Sequence, residues 1–187
     1  MTEITVVRTS IKGEENWRAK YDHVCDFIDG FAVVRCNGKA GLVNEEGKEI
    51  CSPKYDWIWG FVNGFAKVEL DRKYGFISKE GVEIFPKYDW VCNFQSGFAQ
   101  VRDGSMHGFV NGQGLEICRI IYDRVWDFSD GFARVKLNGK FGFINEDGEE
   151  VCKPKYIKAK DVKNGVAEVG YEDSTFKIRI YGNSIKQ

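Results

Sequence analysis

Two histidines, six cysteines and an aspartate recurring at Asp22, Asp56, Asp89 and Asp123 are the groups in this 187-residue chain that could hold a metal or act as acid, base or nucleophile. His23 stands two residues after Tyr21, where Trp57, Trp90 and Arg124 occupy the matching places, and His107 stands where Ala40, Tyr74 and Phe141 stand. A metal centre or a catalytic triad needs further members at fixed spacing, and the sequence marks none. Both histidines therefore read as structural or surface residues. The four aspartates each follow a repeated tyrosine. One carboxylate per repeat would lie about 5 Å or more from its equivalents if strands stack. Aspartate readily accepts backbone N–H bonds at a bend, so a turn role is expected rather than a metal ladder. The stretch Asn145-Glu146-Asp147-Gly148 lacks the alternating aspartates and the distant glutamate of a calcium loop. Cys25 and Cys92 share a place with Trp59 and Trp126, which makes that place apolar, and Cys51, Cys118 and Cys152 follow aliphatic residues where the shorter unit has Phe85. No Cys-x-x-Cys pair occurs. Free, buried thiols are expected, and with them no catalytic residue, no metal site and no cofactor.

The elements that must position these groups are set by the repeat. Tyr-Asp occurs at Tyr21, Tyr55, Tyr88 and Tyr122, and Tyr156 keeps the spacing without its aspartate, with steps of 34, 33, 34 and 34 residues. A fixed period of this length marks units that bury their apolar faces only by stacking on neighbours. The units run 21–54, 55–87, 88–121 and 122–155, with 1–20 as an N-terminal cap and 156–187 as a degenerate C-terminal cap repeat, all in a single repeat domain. In the clearest unit, Tyr122–Phe128, Phe132–Leu137 and Phe141–Ile144 are apolar segments separated by turn signals, and Glu150-Val151-Cys152 extends toward Pro154. Asn138-Gly139 is a favoured two-residue hairpin turn. No long segment has helical apolar spacing, and 21 glycines interrupt any candidate. The expected fold is all-β: a tandem array of about five three-stranded units of 33–34 residues. An open twisted solenoid is favoured, and a small propeller-like closure is the alternative.

Particular small residues refine this. Gly30, Gly64, Gly97, Gly131 and Gly165 each precede an aromatic residue or Val and then Ala, which fits a tight turn into a closely packed strand. Gly41, Gly75, Gly108 and Gly142 fall inside a strand, where glycine signals a bulge or a backbone pressing close. The β-rich run within Thr2–Ile11 lies outside the repeat frame and would suit an edge that needs covering.

Binding residues are sought where the repeat varies. The place two residues after each tyrosine holds His23, Trp57, Trp90, Arg124 and Lys158, a mixture expected of an at least half-exposed position. Trp59 and Trp126, four after the tyrosine, join them as candidates. With a strand period of two, the tyrosine and these two places would point the same way, which leaves open that Trp57 and Trp90 merely cover the rim of the core. Aromatic enrichment is typical of interface centres. Lys plus Arg at 27 against Asp plus Glu at 28 gives a net charge of -1, which disfavours nucleic acid as a partner. No basic stretch followed by an apolar run opens the chain and no stretch approaches a membrane span, so a cytoplasmic location is expected.

The unit Tyr-Asp, Gly-Phe-Ala-x-Val, Asn-Gly-Lys-x-Gly-Phe-Ile-Asn, Gly-x-Glu-Ile and Pro-Lys-Tyr-Asp resembles the bacterial WG repeat, also described as the KWG repeat, over about residues 21–155. The defining elements here are Lys39-Ala40-Gly41-Leu42, Lys73-Tyr74-Gly75-Phe76, Met106-His107-Gly108-Phe109 and Lys140-Phe141-Gly142-Phe143. None carries the family's tryptophan, so no ligand role tied to it is transferred. The resemblance implies a β-rich tandem array, no established catalytic residues and a binding role without a named ligand. The expected partner is another protein, with carbohydrate or cell-wall glycan as the alternative.

Overall fold

Alternation of apolar and polar residues between glycine-bearing turns leaves this chain one way to satisfy its backbone, which is to pair neighbouring segments into antiparallel sheets. A computed structural model describes residues 17–181 and 184–186. The chain forms two compact units, Met1–Lys54 and Tyr55–Gln187. The apolar run within 2–11 lies outside the described residues.

Five open sheets follow one another along the chain, each built from consecutive strands. The first contains β1 (His23–Val24), β2 (Phe31–Cys36), β3 (Lys39–Asn44) and β4 (Glu49–Tyr55). The second contains β5 (Trp57–Val62), β6 (Phe65–Leu70), β7 (Lys73–Ser78) and β8 (Glu83–Tyr88). The third has three strands, β9 (Trp90–Val91), β10 (Phe98–Asp103) and β11 (Met106–Asn111). The fourth contains β12 (Arg124–Val125), β13 (Phe132–Leu137), β14 (Lys140–Asn145) and β15 (Glu150–Tyr156). The fifth contains β16 (Lys158–Ala159), β17 (Val166–Gly170), β18 (Thr175–Tyr181) and β19 (Ser184–Lys186). A single 3-10 turn, Trp17–Lys20, precedes them. The degenerate last repeat thus still forms a four-stranded sheet.

In the first four repeats the chain turns through left-handed residues at both ends of the central strand, whereas the fifth has them only at Asn164-Gly165. Asp130-Gly131 and Asn138-Gly139 all have positive φ, as the tight hairpin geometry requires. Between them β13 runs with Ala133 and Val135 fully buried and Arg134 half-buried. The in-strand glycines are explained by close approach. A Cβ on Gly142 would lie 2.7 Å from the backbone nitrogen of Pro154 and closer still to the Cys152 carbonyl, and a Cβ on Gly41 would lie 2.7 Å from that of Pro53. The same strand pair breaks register on either side of Phe143.

The cores of the second unit are each shared by two sheets. Phe76, Ile84 and Tyr88 pack with Val91, Phe94, Ala99, Val101 and Val110 of the third sheet. Phe109 packs with Tyr122, Val125, Ala133, Val135 and Ile144. Phe143, Val151, Cys152 and Tyr156 then pack with Val162, Ala167, Val169, Ile178 and Ile180 of the fifth. Aromatic rings mark the seams, Phe65 stacking on Phe94 at 3.9 Å and Phe98 lying 4.4 Å from Phe128. Each fully buried aromatic ring contributes on the order of 2–3 kcal/mol through its burial, so a sheet detached from its neighbour loses much of its stability. In the first unit, Ala32, Val34 and Val43 form the buried cluster, and Trp17, Tyr21, Val24 and Phe27 pack against it.

Candidate functional site

The chain bends at each repeated aspartate, and that bend decides which side chains reach solvent. Asp56 N–H donates to the Glu69 carbonyl at 2.8 Å, and its Oδ2 accepts from Asp71 N–H at 2.8 Å in the hairpin turn ahead. Asp22, Asp89 and Asp123 accept likewise from Asn37, Gly104 and Gly139 N–H at 2.7, 2.7 and 3.0 Å. The turn role of the aspartates is therefore specific: each carboxylate ties the hairpin of its own repeat to the entry strand. Asp89 carries a further partner, Lys73 Nζ at 2.7 Å, which together with the Gly104 N–H holds its carboxyl below the usual range.

Because of the bend, alternation does not run through it. Tyr55 and Tyr88 are buried, but Trp57 and Trp90 two residues on are 49% and 40% exposed, while Ile58 and Val91 three residues on turn inward. The expectation that tyrosine and the varying place share one side is thus corrected. The half-exposure expected of that place is what the structure has, with His23 and Arg124 also on the surface.

Trp59 and Trp126 are half-buried and enclosed by partners that no sequence pattern had singled out. Lys67 Nζ lies 4.1 Å from the centre of the Trp59 ring, and Tyr74 and Trp57 meet that ring at 6.1 and 6.3 Å. In the fourth repeat the Arg134 guanidinium lies 4.2 Å from the centre of Trp126, with Arg124 at 5.1 Å and Phe141 at 5.6 Å. Cation–aromatic contacts of this kind are worth about 0.5–1 kcal/mol when exposed and more when desolvated. The third repeat has Cys92, Gln100 and His107 in these three places, and the first has Cys25, Val33 and Ala40. Tryptophan with its cation and aromatic neighbour thus marks the second and fourth repeats and is absent from the first and third, while the fifth has Lys160, Glu168 and Thr175 in these places. Trp90 there meets His107 at 6.5 Å, and burial beside Arg102 and Arg124 pushes the imidazole pKa down.

The same row makes polar ties from one sheet to the next. Gln100 Nε2 donates to Asp127 Oδ1, Arg134 Nη1 donates to the Ala159 carbonyl, and Arg134 Nε lies 3.1 Å from Asp161 Oδ1. A second tie, also unmarked in the sequence reading, joins the repeated tyrosine to the glutamate 28 residues later. Tyr21, Tyr88 and Tyr122 donate to Glu49, Glu116 and Glu150 at 2.7, 3.0 and 3.2 Å. The repeated Glu-Ile or Glu-Val dipeptide was the available signal. The six cysteines are free thiols, two buried and four half-buried, and burial raises Cys118 to about 11. Among the described residues no three or more His, Cys, Asp or Glu side chains gather in a metal-binding arrangement, and no helix is long and apolar enough to cross a membrane.

The profile of the family described as WG containing repeat matches residues 12–39, 41–74, 74–105, 108–141 and 141–173. No curated protein matches the chain. Among solved structures, Kluyveromyces lactis Hsv2p is similar at 12% identity and a TM-score of 0.38, over 87% of this chain and 62% of that one. PorZ, a surface component of the type-IX secretion system of Porphyromonas gingivalis, is similar at 7% identity and a TM-score of 0.38, over 89% and 25%. The N-terminal domain of Nup159 is similar at 8% identity and a TM-score of 0.35, over 89% and 60%. The chain spans about three fifths of the length of the Hsv2 chains it matches. At these scores the likeness is loose, and the sheet order above rests on the chain's own hydrogen bonds.

Proposed function

This chain belongs to the WG-repeat family, and from that premise we propose that it is a non-catalytic, cytoplasmic binding module that engages another protein. The observation that carries the reading is the variation of the place after each Tyr-Asp: His23, Trp57, Trp90 and Arg124 differ in chemistry, yet all sit at the surface on a frame whose repeated alanines and valines are buried, as are its repeated tyrosines apart from the half-buried Tyr21. A surface that varies from repeat to repeat on an invariant scaffold is how repeat arrays present a binding face. No catalytic, metal or cofactor role is assigned to any residue. Alanine at both Trp57 and Trp90 is expected to weaken partner capture from native lysate by about tenfold or more, as loss of aromatic anchors does. Unchanged capture by the folded variant would remove this face from consideration.

The exposure of Trp57 and Trp90 also supports glycan stacking as a second reading. Trp59 and Trp126 are poor platforms for a sugar, since Lys67 and Arg134 each cover a ring face. Quenching of tryptophan fluorescence by cell-wall glycan fragments, abolished by Trp57→Ala with Trp90→Ala, would favour it over the protein partner.

A further inference from the structure

The fifth sheet departs from its predecessors on the face that they bury. In the hairpins of sheets two to four, Lys67, Gln100 and Arg134 pair in register with Phe76, Phe109 and Phe143, and those phenylalanines are at most 1% exposed. The register of the fifth hairpin puts Lys177 opposite Glu168. A lysine therefore stands where three buried phenylalanines precede it, and Val166 replaces the Phe65, Phe98 and Phe132 that open the corresponding strands.

A groove of about 530 Å³ opens here, lined by Arg134, Lys160, Lys163 and Lys177 with Asp161 and Glu168. Arg134 is paired with Asp161 at 3.1 Å and Lys160 with Glu168 at 2.8 Å. Lys163 and Lys177 lie in no ion pair among the described residues. Two positive charges are left over in the groove. An adjoining groove of about 360 Å³ shares Lys160 and Glu168, adds Lys158, and is floored by Phe141, Ile157, Ala159 and Val169.

We propose that this joined groove binds an acidic, partly apolar peptide segment of a partner protein, its carboxylates meeting Lys163 and Lys177 and its apolar side chains lying on the Phe141 and Ile157 floor. The proposal rests on the protein-binding reading above. A net excess of two positive charges, with Lys177 already feeling Glu168 across the hairpin, suits a short segment with two carboxylates. It suits a nucleic-acid strand poorly, because the strand carries a charge at every nucleotide and Asp161 and Glu168 would repel its phosphates. A polar outer face that only keeps a terminal repeat soluble is the rival explanation.

The test titrates the full chain, labelled with nitrogen-15, with a short peptide of alternating Glu and Leu, its Gln analogue, tripolyphosphate and a short single-stranded DNA. The acidic peptide is expected to shift the amides of 158–168 and 175–177, to weaken as salt rises, and to bind at least about tenfold tighter than the Gln analogue. Lys163→Glu with Lys177→Glu should lose that binding while the rest of the spectrum keeps its dispersion, and Lys163→Gln with Lys177→Gln should fall between. Equal binding of the Gln analogue, tighter binding of tripolyphosphate or DNA, or no shift in these segments would each overturn the proposal. Capture from lysate separates the two readings. A partner lost with Trp57→Ala and Trp90→Ala, but kept by the charge-reversed chain, leaves protein binding standing and removes this groove. No captured protein with wild-type chain removes the wider reading itself.

Discussion

In the second and fourth sheets Pro86 and Pro154 carry the outer strand directly over the in-strand glycine, whereas the third sheet has Ile120 in that place and no outer strand. Proline fixes its own φ and disfavours helical backbone in the residue before it, so the segment stays extended. Ile120 does neither, and its branched side chain stands 3.1 Å from where a Gly108 Cβ would be. The segment of 116–121 is then tied at its ends, by Ile117 N–H to the Phe109 carbonyl at 3.2 Å and by the two bonds between His107 and Tyr122. The lesson is that in this repeat the outer strand is held by contact of backbone on backbone. Side-chain composition alone does not hold it.

The sharpest way to break the comparison is to add one methyl group to each glycine. Gly142→Ala drives a Cβ into the Cys152 carbonyl and the Pro154 nitrogen, and should cost about 3 kcal/mol or more in urea unfolding. Gly108→Ala meets nothing nearer than 3.1 Å, the Ile120 side chain first and then the Ile120 Cα and Arg119 carbonyl at 3.3 and 3.4 Å, and should cost about 1 kcal/mol. Equal costs would mean that the third sheet is as tightly closed as the fourth. Next in size is the aspartate tie. Asp123→Ala orphans the Gly139 N–H and should cost about 1 kcal/mol, read as a lowered melting temperature. The fifth repeat has Ile157 in that place and dispenses with the tie, although Ile157 N–H still donates to the Gly170 carbonyl at 2.9 Å.

A smaller effect of opposite sign distinguishes the second sheet. Its hairpin turn is Asp71-Arg72, with φ of 52° and 62°, where the first and fourth repeats have Asn-Gly. Arg72→Gly relieves a left-handed arginine and should raise stability by about 0.5–1 kcal/mol. The smallest effect is acid sensitivity. Lys73 lowers the Asp89 pKa, and Lys87, assisted by Tyr88, lowers that of Glu116. Folded-state values below the unfolded ones mean stability fully present above about pH 4 and lost as pH falls through the lower folded values. The urea midpoint should therefore drop between about pH 4 and pH 2, and less so in high salt; a flat profile would make both ties inert.

What could be read in advance was what each repeat does within itself. Asn138-Gly139, the buried alanines and the in-strand glycines depend on neighbours a few residues away, and repetition multiplied each signal. The direction of Trp57 and Trp90 was misjudged relative to Tyr55 and Tyr88 because an aspartate that hydrogen-bonds a hairpin 15 residues ahead resets the alternation. Lys67 over Trp59 and Arg134 over Trp126 required comparing two columns of the repeat at once, since Trp with Lys or Arg in the second and fourth repeats alternates with Cys and an uncharged residue in the first and third. The absent outer strand of the third sheet goes with Ile120 standing where the first, second and fourth repeats have Pro53, Pro86 and Pro154, a difference visible in the sequence but without meaning until the glycine beneath it was located.

Tyr55, Tyr88 and Tyr156 each close the outer strand of one sheet, and the residue beside each, Asp56, Asp89 or Ile157, leads into the next. The joint between sheets is therefore one peptide bond inside a dipeptide that four repeats share. Unequal recombination between adjacent Tyr-Asp codon pairs removes or inserts one whole repeat and restores the same seam. Removal of 88–121 would join Lys87 to Tyr122 and rebuild Pro-Lys-Tyr-Asp. The gene can thus change the length of this array by copying errors alone, without inventing a new junction.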